Sequence, residues 1–213
     1  MWPVAASHPA LWLGLACLLS FLSACAAVVR PVVEIGLVAP FEGRHRPVGY
    51  DVLYSARLAV LEINQSGGVG DYLVQVVALD DSAAPELARQ AAESLALDPA
   101  VVAVIGHWRA DTTRAAAPVY AKAGLPLVAA GRPPLGEIEP SRLPAAFLSA
   151  YAGVTPFEET AGPWAGTAYD GVNLIIAALF SAWEDNGMID RVGVGRALEG
   201  LSHAGLTGQV SSP

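Results

Sequence analysis

The stretch that decides the fold is VVEIGLV at residues 32–38, followed at 48–64 by a segment whose apolar residues recur at helical spacing. The first stretch is short, apolar and rich in β-branched residues, which predicts a buried strand. The second closes on Gly67 and Gly68, a pair typical of a chain that leaves a helix. A buried strand followed by an amphipathic helix is the unit from which parallel sheets are built.

The same alternation continues along the chain to residue 130. Further strands are predicted at 72–79, 101–105 and 125–129, with helices at 85–97 and 112–123 between them. Strands that are apolar nearly throughout and are joined through helices form a parallel sheet covered on both faces. The sequence therefore predicts an α/β fold with a single doubly wound parallel-sheet domain.

The pattern stops at residues 131–144, which are rich in proline and glycine and predict a connection rather than a helix or strand. Helical patterns resume at 145–151, 165–186 and 190–201, and a last short strand is predicted at 206–210. The segment 169–183 is apolar almost all round, which suits either a membrane or a buried helix. Asp170 and Asn173 within it favour burial against the sheet.

The N terminus carries an apolar run at residues 11–22 that stops at Leu22-Ser23-Ala24-Cys25. The run is too short for a spanning helix, so we expect residues 1–24 to be a signal peptide. Its end resembles a bacterial lipoprotein signal, which implies that Cys25 carries lipid and that the protein is extracytoplasmic and anchored to a membrane. The first ten residues lack Lys and Arg, and the alternative is an ordinary secretory signal or a short buried helix.

Composition narrows the classes of function. The formal net charge of −8 counts against nucleic acid as a partner. Cys17 and Cys25 are the only cysteines and Cys17 would leave with the signal, so no disulfide is expected. The histidines at positions 8, 45, 107 and 203 lack the spacing of a metal site, and no cofactor is expected. An enzyme is not expected either, because the sequence has no Gly-x-Ser-x-Gly elbow and no glycine-rich phosphate loop after a strand.

Short motifs, taken in their order along the chain, carry a family resemblance. They are IGLVAP (35–40) with Gly43 and Gly49, LAVLEIN (58–64) before Gly67-Gly68, ALDDS (78–82), VIGH (104–107), AAAPVY (115–120), AGLPLV (123–128), AYDGVNL (168–174), RAL (196–198) and GLTG (205–208). Together they resemble the type I periplasmic solute-binding proteins of the branched-chain amino acid class. The resemblance implies a solute-binding protein of an ABC importer, with a permease as its partner.

The resemblance also implies two α/β lobes that close on a ligand held between them. Here the chain passes from the last strand of the first lobe, through residues 131–144, to helices that return to that lobe. We therefore expect residues 26–213 to form one lobe, with the second lobe deleted at the proline-rich connection. Hinge closure, as known in periplasmic binding proteins, needs two walls. We expect weak binding of an amino-acid-like or other small carboxylate solute, or a site that a homodimer completes.

The site is expected beyond the carboxyl ends of the strands, where open parallel sheets bind ligands. The resemblance places the ligand-binding serine and threonine of the amino acid binders at Ala110 and Pro133, so both hydroxyls are lost and the family's specificity does not carry over. Arginines near a helix that starts at Thr112 favour a carboxylate or another anion. The candidate ligand-binding residues are Arg44, His107, Trp108, Arg109, Ala110, Asp111, Thr112, Gly131 and Arg132.

Two features of this edge leave alternatives open. The loop arginines either bind an anion or form ion pairs with neighbouring acids across a solvated edge. The arginines are Arg44, Arg46, Arg109 and Arg132, and the acids are Glu42, Asp80, Asp81 and Asp111. Trp108 either stacks on a ligand or partner, or covers the apolar end of the sheet. For the whole protein, a ligand-free protein-interaction module and a degenerate truncated paralogue are the alternatives to a solute-binding lipoprotein.

Overall fold

Four parallel strands form the sheet that the sequence predicts, in the order β2-β1-β3-β4. The computed structural model describes residues 29–131 and 135–211. The strands are β1 (Val32–Ala39), β2 (Leu73–Asp80), β3 (Val101–Gly106) and β4 (Leu127–Ala129). β1 pairs in parallel with β2 and β3, and β3 pairs in parallel with β4. The doubly wound α/β fold is therefore confirmed.

Helices cover both faces of this sheet. They are α1 (Arg46–Gln65), α2 (Pro85–Leu97), α3 (Ala110–Lys122), α4 (Ala145–Val154), α5 (Ala165–Asn186) and α6 (Arg191–Leu198). Successive residues of a strand point to opposite faces. Ile35 and Leu37 accordingly pack in the core under α1, α5 and α6, whereas Val38 packs in the core under α2 and α3.

The helix α5 is long and apolar enough to cross a membrane by length and composition alone. In the structure, 72% of its apolar window is buried within the protein. Asp170 on this helix is fully buried and accepts hydrogen bonds from the backbone N–H groups of Leu206 and Thr207, at 2.8 Å each. The buried core helix expected from the sequence is therefore confirmed.

The chain after the proline-rich connection packs back onto the sheet. Phe147 and Tyr151 of α4 form a third apolar cluster with Tyr54 and Leu58 of α1. All the named elements lie in one compact unit that begins at Pro31. The predicted signal at residues 1–24, Cys25, and Arg132 with the two prolines after it lie outside the described residues.

The C-terminal strand prediction is wrong in form. Residues 206–210 are not one strand, because β5 (Ser202–Gly205) and β6 (Gly208–Ser211) form an antiparallel hairpin that is separate from the parallel sheet. Its turn is fixed by Asp170, whose carboxylate accepts hydrogen bonds from the N–H groups at residues 206 and 207.

The helix α3 begins two residues earlier than predicted, at Ala110. Asp111 in its first turn suits the positive end of a helix.

Candidate functional site

The loops after β3 and β4 meet at the carboxyl edge of the sheet. The N–H of Ala130 donates to the carbonyl of Gly106 at 3.1 Å. Gly131 follows with a φ of +83°, and a Cβ atom there would lie 2.4 Å from the carbonyl oxygen of Trp108. A side chain at this position would clash with backbone, so glycine is what allows the two loops to approach this closely.

A cavity of about 250 Å³ opens where these loops meet α3. On α3 its lining residues recur at the spacing of one helix face. The lining residues are Ala110, Thr113, Arg114, Ala117, Ala130 and Gly131. Two predicted site residues, Ala110 and Gly131, therefore lie together at one cavity. Sequence reasoning missed Arg114 because it lies inside the predicted helix rather than in a loop. The available signal was that Arg114 is the one cation among the lining residues on α3.

The described loop arginines are engaged within the protein. Arg109 and Asp111 form an ion pair, with Nη2 and Oδ2 3.1 Å apart, and the guanidinium holds the pKa of Asp111 below its usual range. Nε of Arg44 donates to Nε2 of His45 at 2.9 Å. Arg46 lies over the ring of Tyr50, 4.9 Å from its centroid. Ion pairing with an acid, one of the two alternatives, thus describes Arg109, while Arg44 bonds an imidazole and Arg46 lies over an aromatic ring.

His107 lies beneath the edge rather than on it. The side chain is fully buried, with Nδ1 2.8 Å from Oδ2 of Asp81 and Nε2 3.2 Å from the hydroxyl of Tyr120. Burial raises the pKa of Tyr120, so its hydroxyl stays protonated at neutral pH. Thr112 is also fully buried, and its hydroxyl donates to the carbonyl of Arg109 at 3.0 Å. The predicted ligand contacts of His107 and Thr112 do not fit this burial, which makes both residues supports of the loop after β3.

Trp108 is only 6% exposed and packs in the core under α1, α5 and α6. Its indole Nε1 has no hydrogen-bond partner among the described residues. Of the two alternatives left open for this residue, the structure shows the second, in which the indole covers the apolar end of the sheet. Its backbone still contributes to the site, because Gly131 packs against its carbonyl.

Asp80 holds the loops after β1 and β2 together. Its Oδ1 accepts from the N–H of Phe41 at 2.7 Å and from the N–H of Ser82 at 2.8 Å, and its Oδ2 accepts from the Ser82 hydroxyl. Burial acts against ionisation, but these hydrogen bonds outweigh it and hold the pKa of Asp80 below its usual range. The hydroxyl of Ser82 is thus bonded to Asp80 rather than to a histidine. Within residues 29–131 and 135–211, no three His, Cys, Asp or Glu side chains are grouped to hold a metal ion.

Asp51, on α1, is a second residue that sequence reasoning missed. Its Oδ1 accepts from the Tyr151 hydroxyl at 3.0 Å and from the N–H of Gly162 at 2.8 Å, and its Oδ2 accepts from the N–H of Trp164 at 2.8 Å. Burial raises the pKa of Asp51 despite these hydrogen bonds. The available signal was an aspartate within an otherwise apolar stretch of helix.

The parallel sheet with a cavity at its carboxyl edge defines a doubly wound α/β fold, the class in which ligands bind at that edge. Comparison with known proteins gives the family: the model described as "Periplasmic binding protein" matches residues 32–142, and the chain belongs to this family. The "Amino acid binding protein" of Pseudomonas aeruginosa is 30% identical over 99 residues, which are 46% of this chain and 26% of that protein. A "Leu/Ile/Val-binding protein homolog 1" of Brucella abortus is 30% identical over 93 residues, 44% of this chain and 25% of that protein. The matches span about a quarter of the length of these curated relatives.

Solved structures show the same fold. The branched-chain amino acid transporter substrate binding protein LivJ from Streptococcus pneumoniae, in complex with isoleucine, gives a TM-score of 0.69 at 17% identity, over 84% of this chain and 91% of that chain. A solute binding protein of an ABC transporter from Rhodopseudomonas palustris, in complex with 3,4-dihydroxybenzoic acid, gives 0.67 at 14% identity, over 84% and 88%. The fold is therefore that of a type I periplasmic binding protein lobe.

Proposed function

We propose that this chain is the solute-binding component of an ABC importer and that it binds a carboxylate-bearing solute at the carboxyl edge of its sheet. The cavity of about 250 Å³ between α3 and the end of β4 carries this proposal. Open parallel sheets bind ligands at this edge. Family membership supports an extracytoplasmic location and a permease as partner.

The start of α3 provides donors suited to an anion. The first N–H groups of a helix have no partner within it, and the helix dipole places partial positive charge there. Ala110 is the first residue of α3 and lines the cavity. A solute carboxylate at this point would meet the N–H of Ala110 and the guanidinium of Arg114, whereas the N–H of Thr112 is already bonded to Oδ1 of Asp111 at 3.0 Å.

Ligands of the structural neighbours support the same chemical class. The neighbours named above were solved with isoleucine and with 3,4-dihydroxybenzoic acid, and a substrate-binding protein from Desulfitobacterium hafniense was solved with Leu. These ligands share a carboxylate and differ in the rest of the molecule. The shared group is what we carry over to this chain.

Affinity is expected to be low in a monomer. A solute held against one wall keeps much of its surface in water, whereas good pockets bury most of it. Binding in the millimolar range, about 4 kcal/mol, is the expected result. A second copy that faces the same edge would supply another wall and strengthen binding.

Titration of the full chain with leucine, isoleucine, valine and 3,4-dihydroxybenzoate tests the site, with light scattering to record the oligomeric state. Ala110→Trp would fill the cavity from an exposed position and should abolish binding. Ala121→Trp is the matched control, because Ala121 is exposed on the same helix but lines a different groove. Binding that survives Ala110→Trp would place the ligand elsewhere. Absence of binding by every carboxylate, in monomer and dimer, would contradict the proposal.

We also propose that Cys25 carries the lipid that anchors the protein. Attachment of lipid at one N-terminal cysteine gives stable anchoring only with more than one acyl chain. Cys25→Ala should move the protein from the membrane fraction to the soluble extracytoplasmic fraction, whereas Cys17→Ala should not. Continued membrane association of the Cys25→Ala protein would argue against lipidation.

A further inference from the structure

Arg114 is the charged residue that lines the cavity between α3 and the end of β4. It is exposed, and its guanidinium forms no hydrogen bond or ion pair with any described residue. The neighbouring Arg109 differs, because it donates to Asp111 through both Nε and Nη2, each at 3.1 Å. Among the described residues, the cavity lining therefore contains one cation, and its guanidinium has no partner there.

In the part of the chain that the structure describes, the lining has no anionic group to complement that cation. Asp111, the acid nearest to Arg114 along α3, is bonded to Arg109 and does not line the cavity. The hydroxyl of Thr113 is bonded to the carbonyls of His107 and Arg109, at 3.1 and 2.8 Å. The rest of the lining is alanine and glycine. The cavity thus combines one guanidinium with a small apolar surface.

We infer that this cavity selects organic carboxylates that lack an α-ammonium group, with the carboxylate on Arg114 and the apolar part against the methyl groups of Ala110, Ala117 and Ala130. The inference rests on the proposed function and narrows its substrate class. A carboxylate gains a charge-assisted hydrogen bond from the guanidinium. An amino acid would gain the same bond but would place its ammonium group beside a cation, with no acceptor carboxylate in the lining.

Three probes of similar shape distinguish the effect of the carboxylate from the effect of the ammonium group. Leucine carries both charged groups, 4-methylpentanoate is leucine without the amine, and 3-methylbutylamine is leucine without the carboxylate. Each is titrated into the isotopically labelled full chain, and backbone amide shifts of α3 report both affinity and location. We expect 4-methylpentanoate to bind about tenfold more tightly than leucine, a ratio that corresponds to a difference of about 1.4 kcal/mol. The amine should not shift these amides.

Variants then test the role of the guanidinium. Arg114→Gln should weaken 4-methylpentanoate at least about tenfold, because hydrogen bonds to charged groups are worth more than neutral ones. Arg114→Lys should retain part of the affinity, since the charge remains but the planar fork is lost. Arg196→Gln is the control, because Arg196 is an exposed cation on α6 that lines a different groove. That control should bind as the wild type does.

The outcomes separate this inference from the proposed function. Leucine binding as tightly as 4-methylpentanoate overturns the inference and leaves carboxylate binding intact. Unchanged binding of 4-methylpentanoate by Arg114→Gln, with the α3 amides still shifting, also overturns it. If no carboxylate, 3,4-dihydroxybenzoate included, shifts the α3 amides, the proposed function fails and the inference fails with it.

Discussion

Two regions of this molecule use carboxylates in opposite ways. On α1, Asp51 is buried and accepts from donors that lie 100 to 113 residues away along the chain. At the rim, Asp111 bonds Arg109 two residues away, and the two side chains are 41% and 38% exposed. Buried hydrogen bonds between distant segments join elements, whereas exposed local ion pairs add little to stability.

The difference indicates where the lobe derives its stability. Asp51 joins α1 to Tyr151 of α4 and to the N–H groups of Gly162 and Trp164, just before α5. These contacts fasten the helices that return after the proline-rich connection. The Arg109–Asp111 pair at the rim joins two residues of the same loop and helix start, so it fastens no distant segments.

The largest effect is expected for Asp51→Ala. The change removes three hydrogen bonds and leaves the N–H groups of Gly162 and Trp164 without their acceptor. We expect the free energy of unfolding to fall by about 3 kcal/mol, since partners of a lost charged acceptor keep their desolvation cost. Urea denaturation measures this loss. Asp185→Ala, at an exposed position on α5, should change it by less than about 0.5 kcal/mol. Equal effects of the two variants would show that Asp51 is not an anchor.

A smaller and pH-dependent effect is expected at Asp80, which lies at the rim but bonds the backbone of a neighbouring loop. Its pKa in the folded protein lies below the ordinary value of 3.8. Ionised Asp80 therefore stabilises the fold above that pH, and the contribution is lost as the pH falls through the lower, folded-state pKa. Asp80→Asn should lower the free energy of unfolding by about 1 kcal/mol at pH 7, after allowance for solvent screening. The difference in this free energy between the variant and the wild type should narrow below about pH 3.8. A difference that grows in acid would contradict this assignment.

Much of the fold could be predicted because its elements have strong apolar periodicity. The helices α2 and α5 begin and end where the sequence predicts, and β1 to β3 lie within one residue of prediction at each end. The hairpin β5–β6 could not be predicted, because its strands are short, largely polar and positioned by Asp170 from another element.

The site was harder to predict, since its decisive contacts are long-range. The edge of the sheet follows from topology, which brought Ala110 and Gly131 together. Burial of His107 depends on Asp81 and Tyr120, which are 26 and 13 residues away in sequence. That Arg114 has no ion-pair partner among the described residues is evident only once Asp111, the nearest acid along α3, is known to pair with Arg109.

The smallest effect is expected for Arg109→Gln, and it sharpens the contrast between the two regions. The guanidinium bonds only Asp111 among the described residues, and both side chains are well exposed. Solvent screens such a pair, and the side-chain entropy lost in forming it offsets the attraction. The midpoint of urea unfolding should stay unchanged within measurement error. The pKa of Asp111 should rise towards its ordinary value, because Arg109 is the main cause of its depression, and a pH titration followed by NMR measures that change. A clear fall in the midpoint would mean that the rim also holds the lobe together, and the distinction between a stable support and a replaceable rim would be lost.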